Sequence, residues 1–514
     1  MRGFAALSLT VGSDNVPPGV GNLYRASSVD REIMHGLKEA CGVVGIYAPG
    51  RDVARMAHFA LMQLQHRGEE SAGIAVSNGE KVKCHRGMGL VMQVFDQDAL
   101  SLLGGEIAIG HNRYSTTGST RIANAQPVLV PVPAVRRTLA FAHNGNLVNA
   151  ALLRERLQAS GIHLETTADS EAMAKLIALQ ADRTAGLEEA IAEAAGQAQG
   201  AYSVVMMTED RLMALRDPHG VRPLCLGELA PGQYVVASES CVMPVLGARW
   251  LREVSPGELI TIDTQGLHSE QVLPPAQLAL CVFEFIYFAR PDSMIAGVLL
   301  HQARRRMGAE LAREHPVEAD LVVPVPETGW PAAIGYAEVS GVPLGQGLIR
   351  NRYIGRTFIQ PDQRMRELGA QIKYTAMPGE LQGKRVIAVD DTIVRGTTKA
   401  QTVRLLRDAG ACEVHVRITA PRYRYPCFYG VDTSARGQLI AARLGSVEEI
   451  RQAIGADSLG YQTMSALVRA IGLPADTVCM ACLDNKYPIP VPDEMQATKF
   501  ALEKSPDSLV DVGG

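Results

Sequence analysis

The chain has little of what marks a secreted, membrane-bound or nucleic-acid-binding protein. Nine cysteines in 514 residues are too sparse for a disulfide scaffold. Its thiols are read as reduced, the expected location is cytoplasmic, and catalysis or metal binding are their informative uses. The net charge is only −4, so no basic surface awaits a polyanion and nucleic acid is not an expected partner. No apolar run approaches the roughly 18 residues of a membrane helix. The longest candidate, "LALCVFEFIYF", is short, carries Glu284 and reads as a buried strand. The first residues lack the charged and apolar regions of a secretory signal. No internal repeat or low-complexity tract is visible.

What is present is ample for a large core: 47% of residues are hydrophobic, and the length suggests two to four domains. Residues 1–30 are rich in Gly, Pro, Ser and Asp and read as disordered. From Cys41 to about residue 275, strand-like runs such as "SAGIAV", "IAIGHNRY" and "AYSVVMM" fall in pairs among helical patterns such as "DSEAMAKLIALQAD". Pairs with short turns predict antiparallel sheets. Beyond residue 280, "ADLVVPVPE", "KRVIAVDD" and "CEVHVRIT" are continuous apolar strands separated by helical segments such as "TTKAQTVRLLRDAGA", which predicts a parallel sheet. The layout is therefore 1–40 a stretch ahead of the folded part, 41–275 and 276–472 two folded units, and 473–514 a segment with a cysteine pair and a frayed tail.

The segment "RVIAVDDTIVRGTT" is the most informative. Its apolar strand ends in Asp390 and Asp391, then a loop of Arg395, Gly396, Thr397 and Thr398 opens a helix. Ligands of parallel sheets bind beyond the carboxyl ends of the strands. Amides at a helix N-terminus cradle a phosphate, and adjacent carboxylates hold sugar hydroxyls or Mg²⁺. No Gly-Lys-Ser/Thr follows the glycine, so it is not a Walker A loop. "VIAVDDTIVRGTT" resembles the phosphoribosylpyrophosphate (PRPP) motif of type I phosphoribosyltransferases. "VVPVPETG" resembles that family's pyrophosphate loop, and "NRYIGRTFI" the mobile flap of its glutamine PRPP amidotransferase branch. The resemblance implies that Thr328, Asp390 and Asp391 surround Mg²⁺ and the ribose. It places Arg395, Gly396, Thr397 and Thr398 on the 5′-phosphate, with Arg352 and Arg356 closing from the flap. Arg350 stands where the family pattern has Lys, and Trp330 has no role that follows from the residues. Pro331 suits a first helical turn.

The front half carries, in order, "CGVVGI", "LQHRGEESAGIAV", "GHNRYSTTG", "HNGNLVN" and "ADSE". Together these resemble the N-terminal-nucleophile glutaminase half of the same branch. Chemistry explains why Cys41 must come first. A thiol of pKa about 8.5 is mostly protonated at neutral pH, and an α-amine near 7.7–8.0 is a suitable base. That amine is free only once residues 1–40 are removed. By resemblance, Asn144 and the Gly145 amide form the oxyanion hole, Arg113 holds the glutamine carboxylate, Asp169 its ammonium, and Arg67, counted with these substrate-binding residues, helps order the site. His66, His111 and His143 lack metal-ligand spacing and read as structural.

Cys479 and Cys482 form a C-x-x-C, which reads as metal, cluster or redox pair. Their contexts, with "CVFEFIYFARPDS" and "YPCFYGVDT", resemble the family branch that binds a 4Fe–4S cluster through Cys281, Cys427, Cys479 and Cys482. Spacing alone leaves four-cysteine Zn²⁺ open; the flanking residues favour iron. Cys84, Cys225, Cys241 and Cys412 match no ligand context.

The resemblance thus implies an α/β and α+β two-domain architecture: an αββα sandwich glutaminase, then a type I phosphoribosyltransferase parallel-sheet domain. It implies conversion of glutamine, PRPP and water to 5-phosphoribosylamine, glutamate and pyrophosphate, the first committed step of purine synthesis. One Mg²⁺ and one 4Fe–4S cluster per subunit, inhibition by purine nucleotides and a homotetramer are implied as well. Two rivals stay open: another amidotransferase with the same glutaminase half, and a non-catalytic PRPP-binding regulator. The PRPP motif opposes the first. The missing basic helix-turn-helix segment opposes the second.

Overall fold

The computed structural model describes residues 41–114, 121–351, 374–431 and 436–492. The leader, the flap arginines Arg352 and Arg356, and the tail after residue 492 lie outside the described residues. Two antiparallel sheets face each other in the front half. One has seven strands in the order Arg249–Glu253, Cys225–Ala230, Gln233–Ala237, Gly42–Tyr47, Ile107–Arg113, Ser71–Ser77, Val82–Met88. The other has six, in the order Gly266–Gln271, Glu258–Asp263, Leu212–Arg216, Gly200–Met207, Arg137–Leu147, Val128–Val132.

The pleat explains why the first strand reads as a continuous apolar run. Successive side chains point to opposite faces, and both faces are covered. Val43 and Tyr47 join Ile109, Ala142 and Val205 between the sheets. Val44 and Ile46 face Ala57 and Leu61 of the helix Val53–Gln63 on the outside. The helices Asp169–Ala181 and Leu187–Gln197 cover the outer face of the second sheet through Met173, Ile177 and Ile191. The result is an αββα sandwich.

The rear half is built on four parallel strands in the order Leu321–Pro324, Arg385–Asp390, Glu413–Ile418, Ser458–Tyr461. Alternation again divides the side chains. Val322, Ile387 and Val389 pack on Leu311, Ala333 and Tyr336. Val323, Val386 and Ala388 lie on the opposite side with Val403 and Leu406. Pro331 occupies the first turn of the helix Trp330–Ser340, where its missing N–H costs nothing.

The segment expected to be one buried strand differs. Only Leu280–Cys281 is extended, and Glu284–Phe288 winds into one wide π-type turn. Val282, Phe283, Phe285, Ile286 and Phe288 are buried on every side, so neither the period of a strand nor that of a helix shows in the sequence. Arg304 of the helix Leu300–Glu314 pins this turn, donating to the carbonyls of Phe285 at 2.9 Å and Ala289 at 2.6 Å. The cysteine-bearing segment after residue 473 is part of the rear body as far as it is described. Val478–Cys479 pairs in parallel with Leu280–Cys281, which sets Cys479 directly opposite Cys281.

Candidate functional sites

Three segments converge on Cys41. The strand Gly42–Tyr47 pairs with Ile107–Arg113, placing Gly42 opposite Asn112 and bringing Arg113 beside the cysteine. His111, on the same strand, meets the His143 carbonyl through Nε2 at 3.1 Å, which joins the segment His143-Asn144-Gly145. The Asp169 carboxylate, at the start of its helix, accepts the Leu147 N–H at 3.0 Å and lies 3.6 Å from His143 Nδ1.

The Cys41 sulfur is buried. Among the described residues its hydrogen-bond partners are both from the Tyr114 backbone: it donates to the carbonyl at 3.3 Å and accepts from the N–H at 3.4 Å. Burial pushes the thiol up, and this outweighs the downward pull of the Tyr114 backbone and the Arg113 charge. No side-chain base reaches the sulfur among these contacts, so a proton acceptor must come from elsewhere.

Asn144 is fully buried. Both ends of its side-chain amide lack a partner among the described residues. Leaving such a group unpaired costs about 1–3 kcal/mol, and orphaned buried groups are rare enough to need a reason. Its backbone is fixed opposite Ser203 in the sheet, so the amide cannot turn to solvent. Gly145 follows with φ 149°, and a Cβ there would stand 1.9 Å from the Ala201 carbonyl oxygen; only glycine fits.

Arg113 Nη1 donates to Glu70 Oε1 at 2.6 Å, a fork that a substrate carboxylate would share. Asp169 is buried, which by itself raises a carboxyl. His143 and the N–H groups of Leu147 and Ser170 override this and hold it below the usual range. The three histidines are held by protein groups: His66 Nε2 meets Glu239 at 2.7 Å, and burial pushes His111 down to about 3.

The Arg67 guanidinium is enclosed at 1% exposure. Nε donates to the Cys41 carbonyl at 3.2 Å, Nη1 to Glu239 and to Glu284 at 3.1 Å, and Nη2 to Glu284 at 2.6 Å. Its carboxylate partners are the protein's own, and what it orders is the backbone of Cys41. The sequence reading missed Glu239, Glu284 and Arg222. One signal was available: an acidic residue inside "LCVFEFIYF" must be paired once buried.

In the rear half, Asp390 and Asp391 end the strand Arg385–Asp390 at the carboxyl edge of the sheet. Thr328 and Thr392 hydroxyls donate to the two oxygens of Asp391, the latter at 2.7 Å. Burial pushes the Asp391 carboxyl up despite these donors. Lys399 pairs with Asp390. Gly396, at φ 89°, precedes the helix Thr397–Asp408. The structure thus brings Thr328, Asp390, Asp391 and Arg395–Thr398 to one edge. An all-oxygen set with a carboxyl disfavoured in its charged form fits a hard cation such as Mg²⁺, which binds through one or two carboxylates plus substrate phosphates.

Cys281, Cys427, Cys479 and Cys482 line one small pocket together with Val221, Tyr429 and Tyr487. Burial raises the Cys281 thiol to about 11 and pushes Cys479 and Cys482 up as well. Among the described residues, no three His, Cys, Asp or Glu side chains converge as a single ion requires. The four sulfurs stand around the walls of a shared space instead. Four thiols in one pocket are the donor set of either a four-cysteine Zn²⁺ or a 4Fe–4S group.

Comparison with known proteins matches a glutamine amidotransferase domain to residues 111–244 and a phosphoribosyl transferase domain to residues 299–424. The chain is 50% identical over 469 residues to the amidophosphoribosyltransferase of Synechococcus elongatus, covering 91% of this chain and 94% of that one. It is 46% identical to the Bacillus subtilis amidophosphoribosyltransferase, covering 88% and 95%. A solved structure described as the allosteric regulatory enzyme of purine biosynthesis superposes with TM-score 0.83 at 44% identity, covering 88% of this chain and 97% of that one. The Bacillus subtilis glutamine PRPP amidotransferase complexed with ADP and GMP gives 0.82 at 45%, covering 88% and 98%.

Proposed function

The chain belongs to the amidophosphoribosyltransferases, and from that premise we propose how its two halves divide the reaction. The enzyme takes ammonia from glutamine and joins it to PRPP, opening purine biosynthesis. In our reading residues 41–275 perform the glutaminase step, 276–472 the phosphoribosyl transfer, and residues 1–40 are removed to expose the Cys41 amine. That amine takes the thiol proton, the thiolate attacks the glutamine amide carbon, and Asn144 with the Gly145 N–H receives the developing oxyanion. Arg113 and Asp169 hold the carboxylate and ammonium ends of glutamine. Ammonia leaves, and water hydrolyses the Cys41 thioester to glutamate. What supports this reading is that, among the described residues, the buried Asn144 amide has no partner and the Cys41 sulfur meets no side-chain base.

At the other centre, Arg395–Thr398 hold the 5′-phosphate, while Asp390, Asp391 and Thr328 hold the ribose side and Mg²⁺. When bound, Mg²⁺ supplies positive charge against which pyrophosphate departs. Arg352 and Arg356 close over the leaving group, and closure keeps ammonia from bulk water, where protonation would end its nucleophilicity. A 4Fe–4S cluster held by Cys281, Cys427, Cys479 and Cys482 would cross-link the Leu280–Cys281 and Val478–Cys479 strands to the loop at Cys427; no redox step is assigned to it. Purine nucleotides act as inhibitors, in keeping with the ADP and GMP of the Bacillus subtilis complex. A homotetramer and a cytoplasmic location complete the reading; no helix among the described residues is long and apolar enough to cross a membrane.

Cys41→Ala tests the division. It is expected to abolish glutamine-driven synthesis of phosphoribosylamine and to spare synthesis from high ammonium. Loss of both in a folded protein would refute separate centres. Metal analysis of the purified protein is expected to give about four irons per chain; a colourless, zinc-loaded, active preparation would reject the cluster.

A further inference from the structure

A continuous run of buried polar contacts joins the four-cysteine cavity to the glutamine centre. Cys427 is followed by Phe428 and Tyr429, in a stretch after the strand Glu413–Ile418 that has no helix or strand up to residue 431. The Phe428 carbonyl accepts from Asn146 Nδ2 at 2.9 Å, and Asn146 lies two residues beyond Asn144 on one strand. The Tyr429 carbonyl accepts from Nε and Nη2 of Arg222 at 3.0 and 2.9 Å. Arg222 Nη1 reaches Glu284 Oε1 at 3.1 Å. Glu284 binds Arg67, which holds the Cys41 carbonyl. Gly430 also backs on Gly145, where a Cβ would come within 2.9 Å of the Gly145 carbonyl carbon.

Arg222, Glu284 and Arg67 are at most 1% exposed. In so dry a setting a displaced partner leaves a charge unpaired, so such chains hold their geometry as a unit. A loop without ladder bonds takes its placement from these contacts, from the Tyr429 and Tyr487 hydroxyls that bond the Ile489 and Pro426 backbones, and from whatever anchors Cys427. Two routes therefore leave the same loop: one to the strand of the oxyanion hole, the other to the backbone of the nucleophile.

We propose that Asn146, Arg222 and Glu284 are positioning residues of the glutaminase reaction, passing the placement of residues 427–430, fixed at Cys427, to Cys41 and to the Asn144–Gly145 pair. The proposal rests on the reading of Cys41 and Asn144 given above. None of the three touches substrate in it. Coupling of this kind is reciprocal: occupying Cys41 must steady residues 427–430, just as steadying those residues favours reaction at Cys41.

The test uses the full, processed protein, its Asn146→Ala and Cys427→Ser variants, and the double variant. Arg222→Lys is the second probe of the ion-pair route, because it keeps the charge but loses the fork. Each is labelled at Cys41 with an electrophilic glutamine analogue, with ammonium-driven synthesis measured on the same sample. Asn146→Ala and Cys427→Ser are each expected to slow saturated labelling about tenfold, with half-saturation and ammonium-driven synthesis unchanged in Asn146→Ala. The double variant should be no slower than either single one. Amide exchange at residues 427–430 should slow on labelling in the unaltered protein and not in Asn146→Ala. Labelling of Asn146→Ala and Arg222→Lys at the unaltered rate would overturn the proposal. So would additive losses, or an equal fall in ammonium-driven synthesis in Asn146→Ala. Failure of the unaltered protein to label at Cys41 would instead overturn the reading of the nucleophile on which it rests.

Discussion

At the glutamine centre the charges are closed within the protein. Arg67 lies between Glu239 and Glu284, Arg113 rests on Glu70, and Asp169 is held by His143 and the Leu147 N–H. Among the described residues the groups there without a partner are neutral, both ends of the Asn144 amide among them. At the acidic strand end the balance is reversed. Asp391 is satisfied by two hydroxyls, yet its carboxyl is pushed up by burial, and Lys399 sits on Asp390. In the function proposed above, the first centre receives a neutral amide and stabilises charge that appears during reaction, and the second offsets its disfavoured charge when a cation and a polyphosphate bind. Preorganisation in one and ligand-completed electrostatics in the other suit the two half-reactions.

Substitutions should separate the two kinds of site. Asp391→Asn is expected to abolish synthesis from glutamine and from ammonium alike. Because burial disfavours the carboxylate, the same change should raise the Tm of the ligand-free protein by a few degrees; a lower Tm would contradict the assigned balance. Glu239→Ala leaves Arg67 and His66 facing a hole and is expected to cost about 3–5 kcal/mol of stability, read from denaturant unfolding. Asn144→Ala should lower glutamine-driven kcat by about 10²–10³, leave KM for glutamine nearly unmoved and spare ammonium-driven synthesis. A smaller effect concerns pH. The Asp169 carboxyl is held below its ordinary value, so its contribution to stability is complete above the unfolded pKa of about 3.9 and is lost as pH falls through the folded value. Asp169→Asn should therefore lower stability at neutral pH, make little difference at pH values below the folded value, and so flatten the acid limb of the stability curve below about pH 4.

The same contrast governs what could be read from sequence. The acidic strand end was legible because all its parts are contiguous: strand, Asp390-Asp391, loop and helix within one short segment. Antiparallel and parallel halves were legible because paired runs differ from runs separated by helices. The enclosure of the glutamine centre was not. Arg67, Arg222, Glu239 and Glu284 come from distant segments, and a single charged residue in an apolar run reveals that it needs a partner without revealing which. The turn Glu284–Phe288 was hidden because burial on all sides erases periodicity. The pairing of Cys281 with Cys479 across a two-residue parallel ladder leaves no local pattern at all.

The account depends most on the Cys41 amine acting as the base for its own sulfur. Intact-mass and N-terminal sequence analysis of the fraction that reacts with glutamine tests this directly. The expected result is a chain whose first residue is Cys41, with glutamine turnover rising through the α-amine range near pH 7.7–8.0. A chain still carrying residues ahead of Cys41 that hydrolyses glutamine at the full rate would contradict it.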